Sequence, residues 1–272
     1  MLEASAPHAS TAVPFLQLHD AVVKRAGRVI LSIEDFALAE GESMALLGPN
    51  GSGKSTFVRL MTREVVPLHR GVPPVRLQGN PRPTLEEVKC CLGVVSSTMQ
   101  DQIAVHLPAV DVVVGGLFGA LGVPRHVQAG EADYARALRA MASLGIGDLA
   151  QRDVMTLSTG QARRVLIARA LVHDPRVLVF DEPCTGLDPQ GMFHVRRTMR
   201  QLAREGRAII LVTHYPEDII PEIERLVFVK SGRIFATGKK EDLLTDAHLS
   251  ALFDVPLRVL RQGDAFALAS AC

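Results

Sequence analysis

Short, unbroken apolar runs recur along this chain: Met44-Ala45-Leu46-Leu47, Val177-Leu178-Val179-Phe180 and Ala208-Ile209-Ile210-Leu211-Val212. Each is too short for a helix and apolar on both faces, which predicts buried strands. Residues 14–40 follow a different rule. Phe15-Leu16-Gln17-Leu18 and Phe36-Ala37-Leu38-Ala39 alternate apolar with polar positions, so antiparallel strands are expected ahead of the first buried run. Residues 67–83 are rich in Pro and Gly and read as a loop-and-strand excursion. From about residue 99 to 154 the pattern becomes helical, most clearly over 131–144, where Ala132, Ala135, Leu138 and Ala142 share one apolar face. The most apolar long run, 103–122, is broken by His106, Pro108, Asp111 and several glycines and makes a poor membrane span. Beyond residue 243, Leu249-Ser250-Ala251-Leu252-Phe253 and a strand at 256–261 form a tail too short for a separate regulatory domain. Strands and helices in this order make the fold class α/β.

Chemistry enters at the end of the first buried run. Gly48-Pro49-Asn50-Gly51-Ser52-Gly53-Lys54-Ser55 has the G-x-x-x-x-G-K-[ST] form, between a strand and a helix starting at Ser55. Glycines at 48, 51 and 53 are expected to adopt backbone conformations that a Cβ would forbid, turning successive N–H groups inward as an anion nest at a helix N-terminus. A triphosphate fits such a nest. The expected nucleotide-binding set is Gly48, Pro49, Asn50, Gly51, Ser52, Gly53, Lys54, Ser55 and Thr56. Lys54 would place its ammonium on the β- and γ-phosphates, and the Ser55 hydroxyl would ligate Mg²⁺.

The run 177–180 ends in Asp181-Glu182. After a P-loop, such a strand delivers its terminal Asp beside the metal, so Asp181 is a Mg²⁺ ligand candidate. Glu182, one residue further on, is placed to polarise an attacking water as a general base.

These motifs together resemble the ATP-binding cassette (ABC) ATPases. Leu157-Ser158-Thr159-Gly160-Gln161 is similar to the signature loop of that family, with Thr159 where a glycine is more usual. Asp181-Glu182-Pro183 and Thr185-Gly186-Leu187-Asp188 resemble its Walker B segment and D-loop, and Thr213-His214 its switch histidine. The resemblance spans about residues 41–240 and implies a P-loop NTPase core of ABC type, with an antiparallel β subdomain and an inserted helical subdomain. It divides the chain into a flexible tail (1–13), an ATP-binding core (14–98 and 155–242), a helical subdomain (99–154) and a C-terminal extension of the core (243–272). It further implies ATP and Mg²⁺ as cofactors, and Glu182 and His214 as the catalytic pair. A head-to-tail homodimer or cassette pair is also implied, in which Ser158, Thr159, Gly160 and Gln161 of one subunit complete the P-loop site of the other.

Two positions depart from the family. Where an aromatic residue usually stacks on adenine this chain has Arg25, whose guanidinium plane could stack in its place or stand as a solvated charge. The glutamine that ligates Mg²⁺ and senses the membrane partner aligns with Ser97; Ser97 is shorter, and Gln100 or Gln102 are the alternatives. The Val95-Ser96-Ser97 stretch and the run His214-Tyr215-Pro216-Glu217-Asp218-Ile219 are similar to a branch related to molybdate-type ATPases.

Composition narrows the partners. Thirty basic and 29 acidic residues leave a net charge of +1, which gives no general case for nucleic acid. Arg163, Arg164 and Arg169 cluster on the signature helix, but without interleaved aromatics they read as a solvated or partner-facing side. Cys90, Cys91, Cys184 and Cys272 have neither metal-site spacing nor a disulfide pattern, as expected for a reducing cytoplasm. No secretory leader is visible. With one P-loop and no membrane span, the chain reads as the ATP-binding and ATP-hydrolysing subunit of a multi-subunit ABC transporter. It would lie on the inner face of the membrane against a separate permease. The alternative is a soluble, non-transport ABC ATPase with an assembly or regulatory role.

Overall fold

The computed structural model describes residues 13–69 and 71–270. The expected tail, Val13 apart, and Cys272 lie outside the described residues. Strands β1 (Leu16–Arg25) and β2 (Arg28–Leu38) form an antiparallel hairpin turning at Ala26-Gly27, where both residues have positive φ. After β3 (Met44–Leu47) and α1 (Lys54–Met61), the short β4 (Val75–Leu77) returns to pair with β1. The chain continues through α2 (Leu85–Cys91), β5 (Leu92–Ser96), α3 (Ser97–Asp101), α4 (Ala109–Gly115), α5 (Glu131–Ser143) and α6 (Thr159–Leu171). Then come β6 (Val177–Asp181), α7 (Pro189–Arg204), β7 (Ala208–Thr213), β8 (Arg225–Lys230) and β9 (Arg233–Lys239). Two short helices, α8 (Lys240–Leu243) and α9 (Asp246–Phe253), lead to a hairpin of β10 (Leu257–Gln262) and β11 (Ala265–Ser270).

The main sheet has the order β5-β6-β7-β3-β8-β9, parallel from β5 through β8, with β9 antiparallel on β8. Its apolar runs are unbroken because both faces are covered. Ala45, Leu47, Leu178, Phe180, Ile209 and Leu211 point into one core, shared with α4, α5, α6 and α7. Their neighbours Met44, Leu46, Val177, Val179, Ile210 and Val212 point into the other, shared with α1 and the β1–β2 hairpin. The parallel strands end level: Leu47 is in register with Thr213, Val212 with Asp181, and Asp181 with Ser96. Every motif singled out at a strand end therefore emerges at one edge of the sheet, where α/β proteins bind their ligands.

The helical stretch corrects two sequence expectations. On α5 the buried side chains are Ala137 and Met141, followed by Leu144, whereas Ala132, Ala135, Leu138 and Ala142 face solvent. The buried stripe is the one that α4 and α6 pack against, and Ala137, Met141 and Leu144 lie on it. On α6, Arg163 is 2% exposed and not solvated. Its Nε donates to Gln100 Oε1 at 3.4 Å, Arg164 Nη2 to the Leu144 carbonyl at 2.6 Å, and Arg169 Nε to the Ala120 carbonyl at 3.0 Å. Helix α6 lies between the sheet and α4–α5, so its long cationic side chains run to acceptors inside the protein, although Arg163 Nη1 is buried without a partner.

The α5 register sets a test. Met141→Ala should cost about 2–4 kcal/mol in urea unfolding, and Leu138→Ala less than about 1 kcal/mol, because only the first opens a cavity. Equal losses would contradict this placement.

Candidate nucleotide site

The P-loop leaves β3 under steric constraint. Gly51 (φ +75°) and Gly53 (φ +108°) occupy the left-handed region as expected, but Gly48 does not. Gly48 is needed for a different reason: a Cβ there would stand 2.1 Å from the Val229 carbonyl oxygen on β8. The loop is also clamped from outside. Gly232 N–H donates to the Ser52 carbonyl at 2.8 Å, and Ser32 N–H to the Gly232 carbonyl at 2.7 Å, tying the loop to β2 and the β8–β9 turn. Helix α1 follows Gly53 as its N-cap, with no side-chain cap and no acidic residue in its first turn. Its leading N–H groups are thus left for an anion. Ser52 Oγ is buried without a partner. Lys54 is 4% exposed and folds back on the loop, donating to the Gly48 and Pro49 carbonyls at 2.7 and 3.0 Å. Burial holds its ammonium below the usual lysine range, against the opposing pull of Glu182 and Asp181.

One strand away from β7, β6 carries the acidic pair. Asp181 Oδ1 is buried and has no hydrogen-bond partner. Burial pushes its carboxyl up to about 6, and the neighbouring Glu182 charge adds to the rise. An orphaned, desolvated carboxylate oxygen is a hard donor of the kind that suits Mg²⁺. The chain turns sharply at Glu182, which takes φ +50° while its N–H donates to the Val212 carbonyl at 2.8 Å. Such backbone strain in a non-glycine residue costs about 1–3 kcal/mol and persists where the surroundings over-determine it. The turn brings Glu182 Oε1 to 3.3 Å from His214 Nδ1, and Tyr215 packs on the imidazole with ring centroids 3.9 Å apart.

The signature residues gather elsewhere. Helix α6 starts at Thr159 behind a capping box: Ser158 Oγ accepts from Gln161 N–H at 3.2 Å, and Gln161 Oε1 from Ser158 N–H at 3.0 Å. Thr159 and Gly160 are therefore first-turn residues with free N–H groups. Gly160 also lets α6 approach α7, since a Cβ would lie 3.3 Å from Gly191 Cα. Asp188 caps α7 through Gly191 N–H at 2.7 Å. Between these two helix starts lies a cavity of about 440 Å³, and none of residues 48–56 line it.

Gly191 and His194 line this cavity and were not singled out from the sequence; Gly191 falls three residues after the Asp188 cap, but nothing local shows that it faces Gly160. Ser96, not Ser97, is in register with Asp181, and its Oγ caps α3 through Thr98 N–H. Gln100 is held by Arg163. Arg25 pairs with Arg28 at the exposed end of the β1–β2 hairpin. Burial pushes the Cys184 thiol up to about 12, which leaves it unreactive.

A glycine-rich anion nest on a parallel strand, with a desolvated carboxylate one sheet neighbour beyond the switch strand, defines the chain as a P-loop nucleoside triphosphatase. The ABC transporter family model matches residues 31–185, and the chain belongs to that family. It is 31% identical over 251 residues to the ABC transporter ATP-binding protein YlmA of Bacillus subtilis, covering 92% of this chain and 94% of that one. It is 32% identical over 250 residues to the hemin import ATP-binding protein HmuV of Nocardia farcinica, covering 90% and 84%. Among solved structures, cbiO1 of Clostridium perfringens, part of the cbiONQ transporter complex, superposes with a TM-score of 0.71 over 88% of this chain and 93% of its own, at 24% identity. An ATP-binding cassette of another ABC transporter superposes with a TM-score of 0.75 over 88% and 98%, at 21% identity; both likenesses concern the fold. The chain is an ATP-binding, ATP-hydrolysing subunit of ABC transporter type. Among the described residues no helix is long and apolar enough to cross a membrane.

The raised Asp181 carboxyl makes stability pH-dependent. The folded group titrates at about 6, above its ordinary value of 3.8, so the folded state binds more protons in between. Stability from this group falls as pH rises through that window, and above it the ionised carboxylate costs about 2–3 kcal/mol. In nucleotide-free protein, Asp181→Asn should raise the unfolding free energy at about pH 7.5 by about 1–3 kcal/mol and flatten its slope between about pH 4 and 6.5. Unfolding curves with an unchanged slope would contradict the burial of this charge.

Proposed function

We propose that the chain drives transport across a membrane by closing head to tail with a second cassette over ATP, with Glu182 and His214 hydrolysing the nucleotide between them. The observation that carries this reading is the Glu182–His214 contact at level strand ends, beside the unpartnered Ser52 Oγ and Asp181 Oδ1. Entering phosphates would draw Lys54 from the Gly48 and Pro49 carbonyls and take up the N–H groups of the loop and of the first turn of α1. The Ser55 hydroxyl and the Asp181 carboxylate would hold Mg²⁺, which would supply positive charge against the phosphates. Glu182 accepts a proton from the attacking water as the water oxygen bonds to the γ-phosphorus and the bond from that phosphorus to the β,γ-bridging oxygen breaks, so that ADP leaves with the bridging oxygen and inorganic phosphate is formed; His214, beside Glu182, hydrogen-bonds the γ-phosphate.

The first turn of α6 is a second anion-binding helix start, in a cavity that the P-loop does not share. That separation supports completion in trans, with Ser158, Thr159 and Gly160 of each subunit reaching the γ-phosphate of the other, and Asp188 lying between the sites. Because α6 also carries Arg163, which holds Gln100 on α3, movement at the signature loop has a direct route to the segment around Ser97. That segment and the helical subdomain are the proposed docking face for a separate permease, on the cytoplasmic side of the membrane.

Glu182→Gln should keep ATP affinity, lower kcat by about 10²–10⁴-fold and convert a monomer into an ATP-dependent dimer in size-exclusion chromatography. Normal turnover in this variant would exclude Glu182 as the base. Its detergent-solubilised, ATP-trapped form should copurify with a polytopic membrane protein, whereas soluble partners alone would point to the assembly or regulatory role. Lys54→Ala should abolish ATP binding or hydrolysis.

A further inference from the structure

His214 hangs on a turn whose remaining residues are tied down from two sides. Asp218, four residues further on, has a side chain only 3% exposed. Its Oδ1 accepts from Arg196 Nη2 at 2.7 Å and Arg196 Nε at 3.1 Å, and its Oδ2 accepts from Thr213 Oγ1 at 2.9 Å. Thr213 Oγ1 in turn accepts the Tyr215 N–H at 3.0 Å, so both residues flanking His214 belong to one network. Arg196 stands two turns into α7, the helix that begins at Asp188 of the D-loop. From the other side, Glu217 Oε1 accepts the Leu268 N–H of β11 at 2.9 Å.

We infer that Arg196 and Asp218 are positioning residues for hydrolysis, holding the turn so that the His214 imidazole stays against Glu182. The inference rests on the proposed catalytic role of His214. An isolated strand-end histidine would sample several rotamers, and only one of them meets the Glu182 carboxylate. Here the backbone on both sides of the imidazole is fixed through a two-nitrogen guanidinium grip on a buried carboxylate, a geometry lysine cannot reproduce. Because Arg196 is carried by the D-loop helix, displacement of the D-loop on dimer closure reaches His214 through a single rigid link. The groove beside this link, lined by Phe193, Arg197, Glu217 and Asp264, leaves Arg196 accessible to substitution without opening the sheet core.

The test is a double-mutant cycle on ATP turnover. Arg196→Gln should lower kcat by about tenfold or more with KM for ATP within about twofold, since misplacing a catalytic group by a fraction of an ångström acts on the chemical step. In a His214→Ala background the same substitution should cost less than about twofold further, because its target is gone. Normal kcat in Arg196→Gln, or losses that multiply in the double variant as a purely structural role would give, overturns the inference. A His214→Ala enzyme with full turnover instead removes the catalytic role of the histidine, and the inference with it. If Arg196→Gln shows no cooperative thermal transition, Arg196→Lys, which keeps the charge without the fork, carries the same cycle under the same criteria.

Discussion

The close approach of Gly48 to the Val229 carbonyl is the constraint on which the rest of the site depends. Strands β3 and β8 are paired neighbours in the sheet, and the P-loop leaves β3 with no space for even a methyl group against β8. A few residues on, Gly232 reaches back to the Ser52 carbonyl, so the loop is held at both ends by elements outside it. An anion nest works only if its N–H groups are already aimed, because ordering them at the moment of binding would consume the affinity they provide. Here the aim is set by packing, and the two left-handed glycines complete the curve.

That rigidity allows the site to hold groups that are poorly satisfied on their own. Lys54 is desolvated and bonded only to carbonyls, Asp181 is buried with an unpartnered oxygen, and Glu182 sits in a strained backbone region. Each of these lowers the stability of the nucleotide-free protein, and the two cores on either side of the sheet offset them. Local rules broken together at one edge of an otherwise consistent fold are the mark of a functional site. The same surroundings that make the charges costly would strengthen an electrostatic contact made to them.

Much of this was legible in the sequence because P-loop chemistry is local. Strand, glycine spacing, lysine and hydroxyl lie within a dozen residues, and Asp181-Glu182 follows directly from its strand. The apolar runs identified the buried strands because a sheet covered on both faces leaves no polar positions within them. Helical faces were harder to read. On α5 the predicted positions matched the helical period and still faced solvent, since periodicity shows which positions share a face but packing against α4 and α6 decides which face is buried. The arginines of α6 read as a solvated or partner-facing side because charge alone does not reveal that Gln100 and the Leu144 and Ala120 carbonyls stand within reach.

The sequence by itself determined the class of chemistry: a phosphate loop, a metal-competent aspartate, a neighbouring glutamate and a helix start preceded by Ser158, each encoded in a contiguous stretch. Tertiary structure decided what those pieces do to one another. The register of β3, β6 and β7 levels their ends and brings His214 to Glu182 across 32 residues of sequence. Packing of α7 on the switch turn places Arg196 on Asp218, and the meeting of α6 and α7 makes Gly191 part of the signature groove. The physical reason is the range of the interactions. Backbone conformation and helix capping act over a few residues and leave a readable motif, whereas register, burial and charge pairing depend on which distant segments the hydrophobic cores bring together.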